Sequence, residues 1–211
     1  MRRLTRSAKG RNFNRLLRIG GFGMDSKDFM AEAVRLAIES VENGWGGPFG
    51  AVLTNDGEII ARGQNRVLLT GDPTAHAEVE TIRKAIQILN SRAPSIPESQ
   101  QNESTLELVP RPEGSPDLMP ERARMLMGYT LYSSGAPCPM CMSAIYWSRI
   151  DRVYFAFDLA ATKKIGFDDE FQYQDFTRPL DERRILIQQA QPELGAQACA
   201  AWMNKPDRHP Y

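Results

Sequence analysis

The sequence predicts an α/β fold with a central sheet covered by helices on both faces, and three observations carry that prediction. A turn signal, Asn55-Asp56-Gly57, separates two short apolar runs and marks a hairpin. Segments with apolar residues at helical spacing lie on either side of that hairpin. Further along, a strand-like run leads into an apolar helical segment and then into another strand. Strands interleaved with helices in this way build layered α/β domains.

The first helix opens at Asp25-Ser26, both capable of capping, and its apolar stripe is Phe29, Ala33, Val34, Ala37, Ile38 and Val41. Gly44, Gly46 and Gly47 stop it. Residues 49–54 and 58–63 then read as the two hairpin strands. A second helix begins near His76, with Val79, Ile82, Ile86 and Leu89 inward and Glu80, Arg83 and Lys84 outward. Residues 91–127 break the pattern. They hold Pro94, Pro97, Pro110, Pro112, Pro116 and Pro120, and read as an insertion loop with a short helix near 121–127. A lid over the site and a passive surface excursion are both open readings, since added loop length costs little free energy.

Residues 129–133 form the next strand, ending just before a helix that runs to about Ser148. That helix is apolar at Met142, Ala144, Ile145, Tyr146 and Trp147, so burial on most sides is expected. Residues 152–157 are a strand and Gly166-Phe-Asp-Asp-Glu-Phe171 a loop. Residues 184–188 read as a last strand and residues 192–204 as a last helix. There is no internal repeat.

The chain has 211 residues, enough for one domain with a full core. Three cysteines do not make a disulfide framework and fit a reducing, cytoplasmic setting. No apolar run approaches the roughly 18 residues that span a membrane. The net charge of zero hides a split: residues 1–23 carry Arg2, Arg3, Arg6, Lys9, Arg11, Arg15 and Arg18 and no acid, so residues 24–211 are −7. The sequence thus divides into a basic N-terminal extension at 1–23, expected to be disordered, and one domain at 24–211. Nucleic-acid contact, organelle targeting and a start upstream of Met24 are the alternative readings of the extension. The acidic remainder is a poor footprint for nucleic acid.

His76-Ala77-Glu78 and Pro137-Cys138-Pro139-Met140-Cys141 carry the chemistry. His76, Cys138 and Cys141 are three zinc-ligand types, where a structural zinc site normally closes with four. Three ligands leave a position for water, and zinc lowers the pKa of that water to about 7. Glu78 has no ligand duty and stands where a proton carrier is needed. Helical side chains lean toward the N-terminus, so residues of a first turn ring the helix mouth. Cys138 and Cys141 are three apart, Pro139 suits a first helical position, and the positive helix end favours thiolate. Two such mouths facing each other would hold one metal ion per chain. A redox Cys pair, or a structural site closed by Cys199 or His209, are the competing readings. Cys199 sits in a small-residue helical pattern where packing is expected.

H-x-E followed by P-C-x-x-C is the known signature of zinc nucleobase deaminases. The chain resembles the cytidine-deaminase-like superfamily and, within it, the bacterial guanine deaminases. The resemblance rests on Gly46-Gly-Pro-Phe-Gly-Ala51, Gly63-Gln-Asn65, Asp72-Pro-Thr-Ala-His-Ala-Glu78, Pro137-Cys-Pro-Met-Cys141, Ala144-Ile-Tyr-Trp147 and Gly166-Phe-Asp-Asp169. It spans residues 24–211 apart from the proline-rich insertion.

The resemblance implies a three-layer α/β/α fold with a mixed five-stranded sheet, a homodimer, and hydrolysis of guanine to xanthine and ammonia. It makes His76, Cys138 and Cys141 zinc ligands and Glu78 the proton shuttle. It makes Asn65 a base-binding residue and Asp169 a second carboxylate near the leaving amino group. It makes Tyr211 close the pocket from the partner subunit through an exchanged C-terminal segment. Beside the resemblance, Ala77 and Phe49, which follows two glycines and a proline and is placed to stack on a base, are candidate substrate-binding residues. Gly135-Ala136 departs from the pattern, because related deaminases commonly carry Glu before the Pro-Cys. Substrates kept open beside guanine are guanosine, cytosine or cytidine, and adenosine in transfer RNA. By itself Asn65 could be a turn residue, Asp169 a solvated acid displaced by one from Asp168, and Phe49 and Trp147 core.

Overall fold

A computed structural model describes residues 26–92, 125–206 and 208. The basic extension at 1–23, nearly all of the insertion, His209 and Tyr211 lie outside the described residues.

Four strands form one mixed sheet: β1 (Gly50–Asn55), β2 (Glu58–Gln64), β3 (Thr130–Gly135) and β4 (Arg152–Phe157), in the order β2-β1-β3-β4. β1 pairs antiparallel with both β2 and β3, and β3 runs parallel to β4. The hairpin turns at Asp56 and Gly57, with φ of 48° and 81°. Two positive φ values make a type I′ turn, whose twist matches the strands it joins.

Alternation along the strands sorts residues to the two faces. Val52 and Tyr132 point to α1 (Ser26–Glu42) and pack with its Phe29, Ala33 and Leu36. Ala51, Leu53, Ala61 and Leu131 point the other way. They pack with Ala77, Ile82 and Ala85 of α3 (Ala77–Arg92) and Ile145 of α4 (Pro139–Trp147). The layers are therefore α/β/α, as expected.

Several expectations change. The sheet has four strands among the described residues, because 184–188 does not pair. Ile185, Leu186 and Ile187 are consecutive apolar residues, all of them exposed. Without alternation they cannot share one buried face, and burial does not drive them onto the sheet. On α1 the inward face is Phe29, Ala33, Leu36, Ala37 and Ser40, while Ile38 and Val41 are exposed. The stripe thus slips by a fraction of a turn, and Ser40 is accepted inside because its Oγ donates to the Asn65 carbonyl at 2.8 Å. Tyr146 and Trp147, expected in the core, are 72% and 62% exposed at the end of α4. That helix has α3 and the sheet on one side and, among the described residues, no layer on the other.

Short helices also replace expected loop: α2 (Val67–Thr70), α5 (Leu159–Lys164) and α6 (Glu170–Phe176). Asp158 caps α5 through its side chain, accepting from the Ala161 N–H at 2.8 Å. The last helix, α7 (Pro192–Asn204), has its expected bounds but buries no residue, so Cys199 is exposed rather than packed. No helix among the described residues is long and apolar enough to cross a membrane.

Candidate active site

Two helix N-termini meet beside the end of β3. His76 directly precedes α3, and its carbonyl accepts from the Glu80 N–H at 2.9 Å. Cys138 is the N-cap of α4, with Pro139 in the first turn and the Cys141 N–H donating to its sulfur at 3.5 Å. The ends of parallel strands are where open α/β sheets place their sites, and β3 and β4 supply that pair here.

His76 Nδ1 stands 3.6 Å from Cys138 Sγ and 3.5 Å from Cys141 Sγ. A tetrahedral zinc ion with bonds of about 2.0–2.1 Å to nitrogen and about 2.3 Å to sulfur separates such atoms by about 3.6 Å. All three ligand atoms lie within 4.8 Å of one another, and among the described residues this is the group that could hold a metal ion. Cys199 takes no part in it, and His209 lies outside the described residues. Two sulfurs and one imidazole form a donor set suited to zinc. Cys138 is held down at about 4, first by the Cys141 thiol that donates to it and then by His76, while burial opposes both. Cys141 is pushed up by the same bond, by burial and by the neighbouring Glu78. The contact with Cys138 raises the His76 imidazole above its ordinary range.

Glu78 lies in the first turn of α3 and is buried. Ser133 Oγ donates to its Oε1 at 3.1 Å, and Cys141 Sγ lies 3.3 Å from Oε2. Burial pushes its carboxyl above the ordinary range, as suits a group that takes and returns a proton.

A cavity of about 210 Å³ opens over these residues, lined by Gly47, Phe49, Asn65, Val67, Leu68, Pro73, His76, Glu78, Ala136, Cys138, Phe167 and Asp169. Asn65 sits just past β2 and is buried. Its Oδ1 accepts from the Val67 N–H at 3.2 Å, so the turn role and the cavity position coexist. With Oδ1 engaged, the two N–H donors of the amide are what it can offer a ligand. A Cβ on Gly46 would overlap the Asn65 side chain, so the Gly-Gly-Pro-Phe turn must begin with glycine for Asn65 to sit here.

Asp169 and Asp168 separate cleanly. Asp168 is exposed and pairs with Lys163 at 3.1 Å. Asp169 is half-buried and lines the cavity; it occupies the N-cap of α6 without a side-chain capping bond. Burial, and then the Cys138 charge, raise its carboxyl above the ordinary range. Phe49 lines the cavity and meets Phe167 edge to face, centroids 5.2 Å apart at 85°. Ala77 is fully buried in the core and is not part of the cavity wall.

Ser133, Phe167 and Tyr173 were not singled out from sequence. Ser133 had a signal, a hydroxyl on a strand position that alternation turns toward α3. Phe167 lay inside the Gly-Phe-Asp-Asp motif. Tyr173, whose Oη donates to the Pro137 carbonyl at 2.7 Å, had none, because the contact joins residues far apart in sequence.

With this geometry in place, the comparisons are specific. A family model described as the cytidine and deoxycytidylate deaminase zinc-binding region matches residues 24–157. Guanine deaminase of Bacillus subtilis (strain 168) is 37% identical over 188 residues, covering 89% of this chain and 100% of that protein. The X-ray structure of guanine deaminase from Bacillus subtilis superposes with a TM-score of 0.71 at 37% identity, covering 89% of this chain and 99% of that one. A tRNA-specific adenosine deaminase from Aquifex aeolicus is 32% identical over 143 residues, covering 68% of this chain and 71% of that protein.

Proposed function

The chain belongs to the cytidine and deoxycytidylate deaminase zinc-binding family, and on that premise we propose that it hydrolyses guanine to xanthine and ammonia. It is a zinc-dependent deaminase. The observation that carries the guanine reading is the match along the whole length of a guanine deaminase, in sequence and in fold.

In this reading His76, Cys138 and Cys141 hold the zinc. Zinc, when bound, supplies a water whose pKa is lowered to about 7, a nucleophile at neutral pH. Glu78 would accept the proton released by the attacking water and deliver it to the ring nitrogen beside C2 as C2 gains oxygen. Glu78 would then take the remaining proton from the new hydroxyl on C2 and place it on the exocyclic amino group. The C2–N bond then breaks and ammonia leaves. Ser133 fixes one oxygen of Glu78 throughout. Asn65 holds the base through its amide N–H donors, Phe49 and Phe167 wall it on the apolar side, and Asp169 assists the departing amine. Ala77, with its side chain in the core, has only its backbone to present to the base.

The enzyme acts as a homodimer that exchanges its C-terminal segment, with Tyr211 covering the partner's site. Two features support this. Tyr146 and Trp147 on α4 are exposed apolar side chains, and among the described residues α7 buries none of its own. Exchange of identical segments is a low-cost route to a dimer. The thiols at the site need a reducing compartment, so we place the enzyme in the cytoplasm.

The test is product identification. Purified, zinc-replete protein given guanine should yield xanthine and ammonia in equal amounts. Absence of both products sinks the substrate assignment, and a monomer by sedimentation sinks the exchanged dimer.

A further inference from the structure

Asp169 and the cysteine loop are joined by a side chain with no role so far. Tyr173 lies one turn past Asp169, on α6, and donates its hydroxyl proton to the carbonyl of Pro137 at 2.7 Å. Pro137 immediately precedes Cys138. Nothing on α6 is fully buried, so packing alone does not set where that helix sits. Its lysine pairs run outward, from Lys163 to Glu170 at 3.4 Å and to the flanking Asp168 at 3.1 Å, and Asp175 pairs locally with Arg178 at 3.9 Å. Exposed pairs of this kind contribute little and are screened by salt. The Phe167 N–H, bonded to the Thr162 carbonyl at 3.1 Å, fixes the loop only before Asp169. The Tyr173 bond fixes it after Asp169, and fixes it to the strand-end loop that carries Cys138.

We infer that Tyr173 is a positioning residue: by anchoring α6 to the Pro137 carbonyl, it holds the Asp169 carboxylate in register with the metal-ligating end of the cavity. The inference rests on the reading that Asp169 takes part in turnover. A displacement of about 1 Å in a reacting constellation costs on the order of 10²-fold in rate, and removing one anchor allows part of that displacement.

The experiment is a double-mutant cycle on zinc-replete enzyme with guanine as substrate. Tyr173→Phe keeps the ring and removes only the donor. It should lower kcat about tenfold, leave KM within about twofold, and keep zinc content and melting temperature near the parent values. In an Asp169→Ala background, the same change should cost less than about twofold, because there is no carboxylate left to position. A merely structural tyrosine would cost the same factor in both backgrounds. Full kcat in Tyr173→Phe, equal losses in both backgrounds, or loss of zinc from Tyr173→Phe would each overturn the inference. If Asp169→Ala itself turns over guanine normally, the Asp169 reading falls and this inference with it. If only Tyr173→Phe is silent, this inference falls alone.

Discussion

Ser133 on β3 donates a hydrogen bond to Glu78 on α3 across 3.1 Å, and that bond aims the carboxylate. One oxygen is fixed by the sheet and the other faces the cysteine pair, with Cys141 Sγ 3.3 Å away. In Glu78→Gln the amide oxygen can still accept from Ser133, so the variant should fold and retain zinc. It cannot move a proton, and turnover should fall by roughly 10²–10⁴-fold. Steady-state rates with measured zinc content check this; a zinc-replete Gln variant at parental rate removes Glu78 from the chemistry.

Asn65 and Asp169 line one cavity but should fail differently. Asn65→Ala removes amide donors that bind the base equally before and during reaction, so KM should rise about tenfold with kcat little changed. Asp169→Ala removes help to the leaving amine, so kcat should fall about 10²-fold with KM little changed. Reversal of the two patterns, or silence in both, contradicts the assignment.

Zinc removal should expose thiols. Cys199 is exposed, whereas Cys138 and Cys141 are buried in the ligand group. A thiol reagent should modify Cys199 quickly in the zinc-loaded protein and reach Cys138 and Cys141 only after chelation. Chelation should also abolish activity, with recovery on adding zinc back. Protein bound at about 100 times the dissociation constant should lose about 2.7 kcal/mol of stability with its metal. For a chain of this size that is about 5–10 °C in melting temperature. Equal labelling of all three thiols with and without chelator would count against this ligand set.

The pH dependence of stability has a defined contributor outside the site. Glu32 accepts from Arg35 at 2.8 Å and from Arg62 at 2.7 Å. Arg35 first and then Arg62 hold its carboxyl at about 2, below the usual 4.5. Because the folded pKa is the lower one, the unfolded chain takes the proton first as pH falls. The contribution is complete above about 4.5 and is lost progressively toward about 2. Glu32→Gln should therefore melt about 2–4 °C lower than the parent at pH 7, on the order of 1 kcal/mol for an exposed network. The gap should close as pH falls from 4.5 toward 2, and narrow in high salt. A gap that stays constant from pH 7 to pH 3 contradicts this.

The parts of the site legible in sequence are those set by local geometry. His76, Glu78, Cys138 and Cys141 sit in or just before first helical turns, where spacing alone dictates convergence. The Asp56-Gly57 turn and the bounds of α7 were equally local. Ser133 and Tyr173 were not legible as partners, because each acts through a residue on a different element. Tyr146 and Trp147 misled because an apolar helix declares that it needs cover, not that its own chain provides it. Residues 184–188 misled for a related reason: an apolar run has strand propensity, but pairing depends on an available sheet edge and a face to bury.

Substrate choice is the central claim, and ammonia release on one preparation of measured zinc content tests it directly. The substrates are guanine, guanosine, cytosine, cytidine, adenine and an adenosine-containing transfer RNA. The account predicts that guanine has the highest kcat/KM by at least about 10²-fold, since a site built around hydrogen bonds to one base rejects those that leave its polar groups unpaired. A higher kcat/KM for cytidine or for the transfer RNA, or no ammonia from guanine, would contradict it.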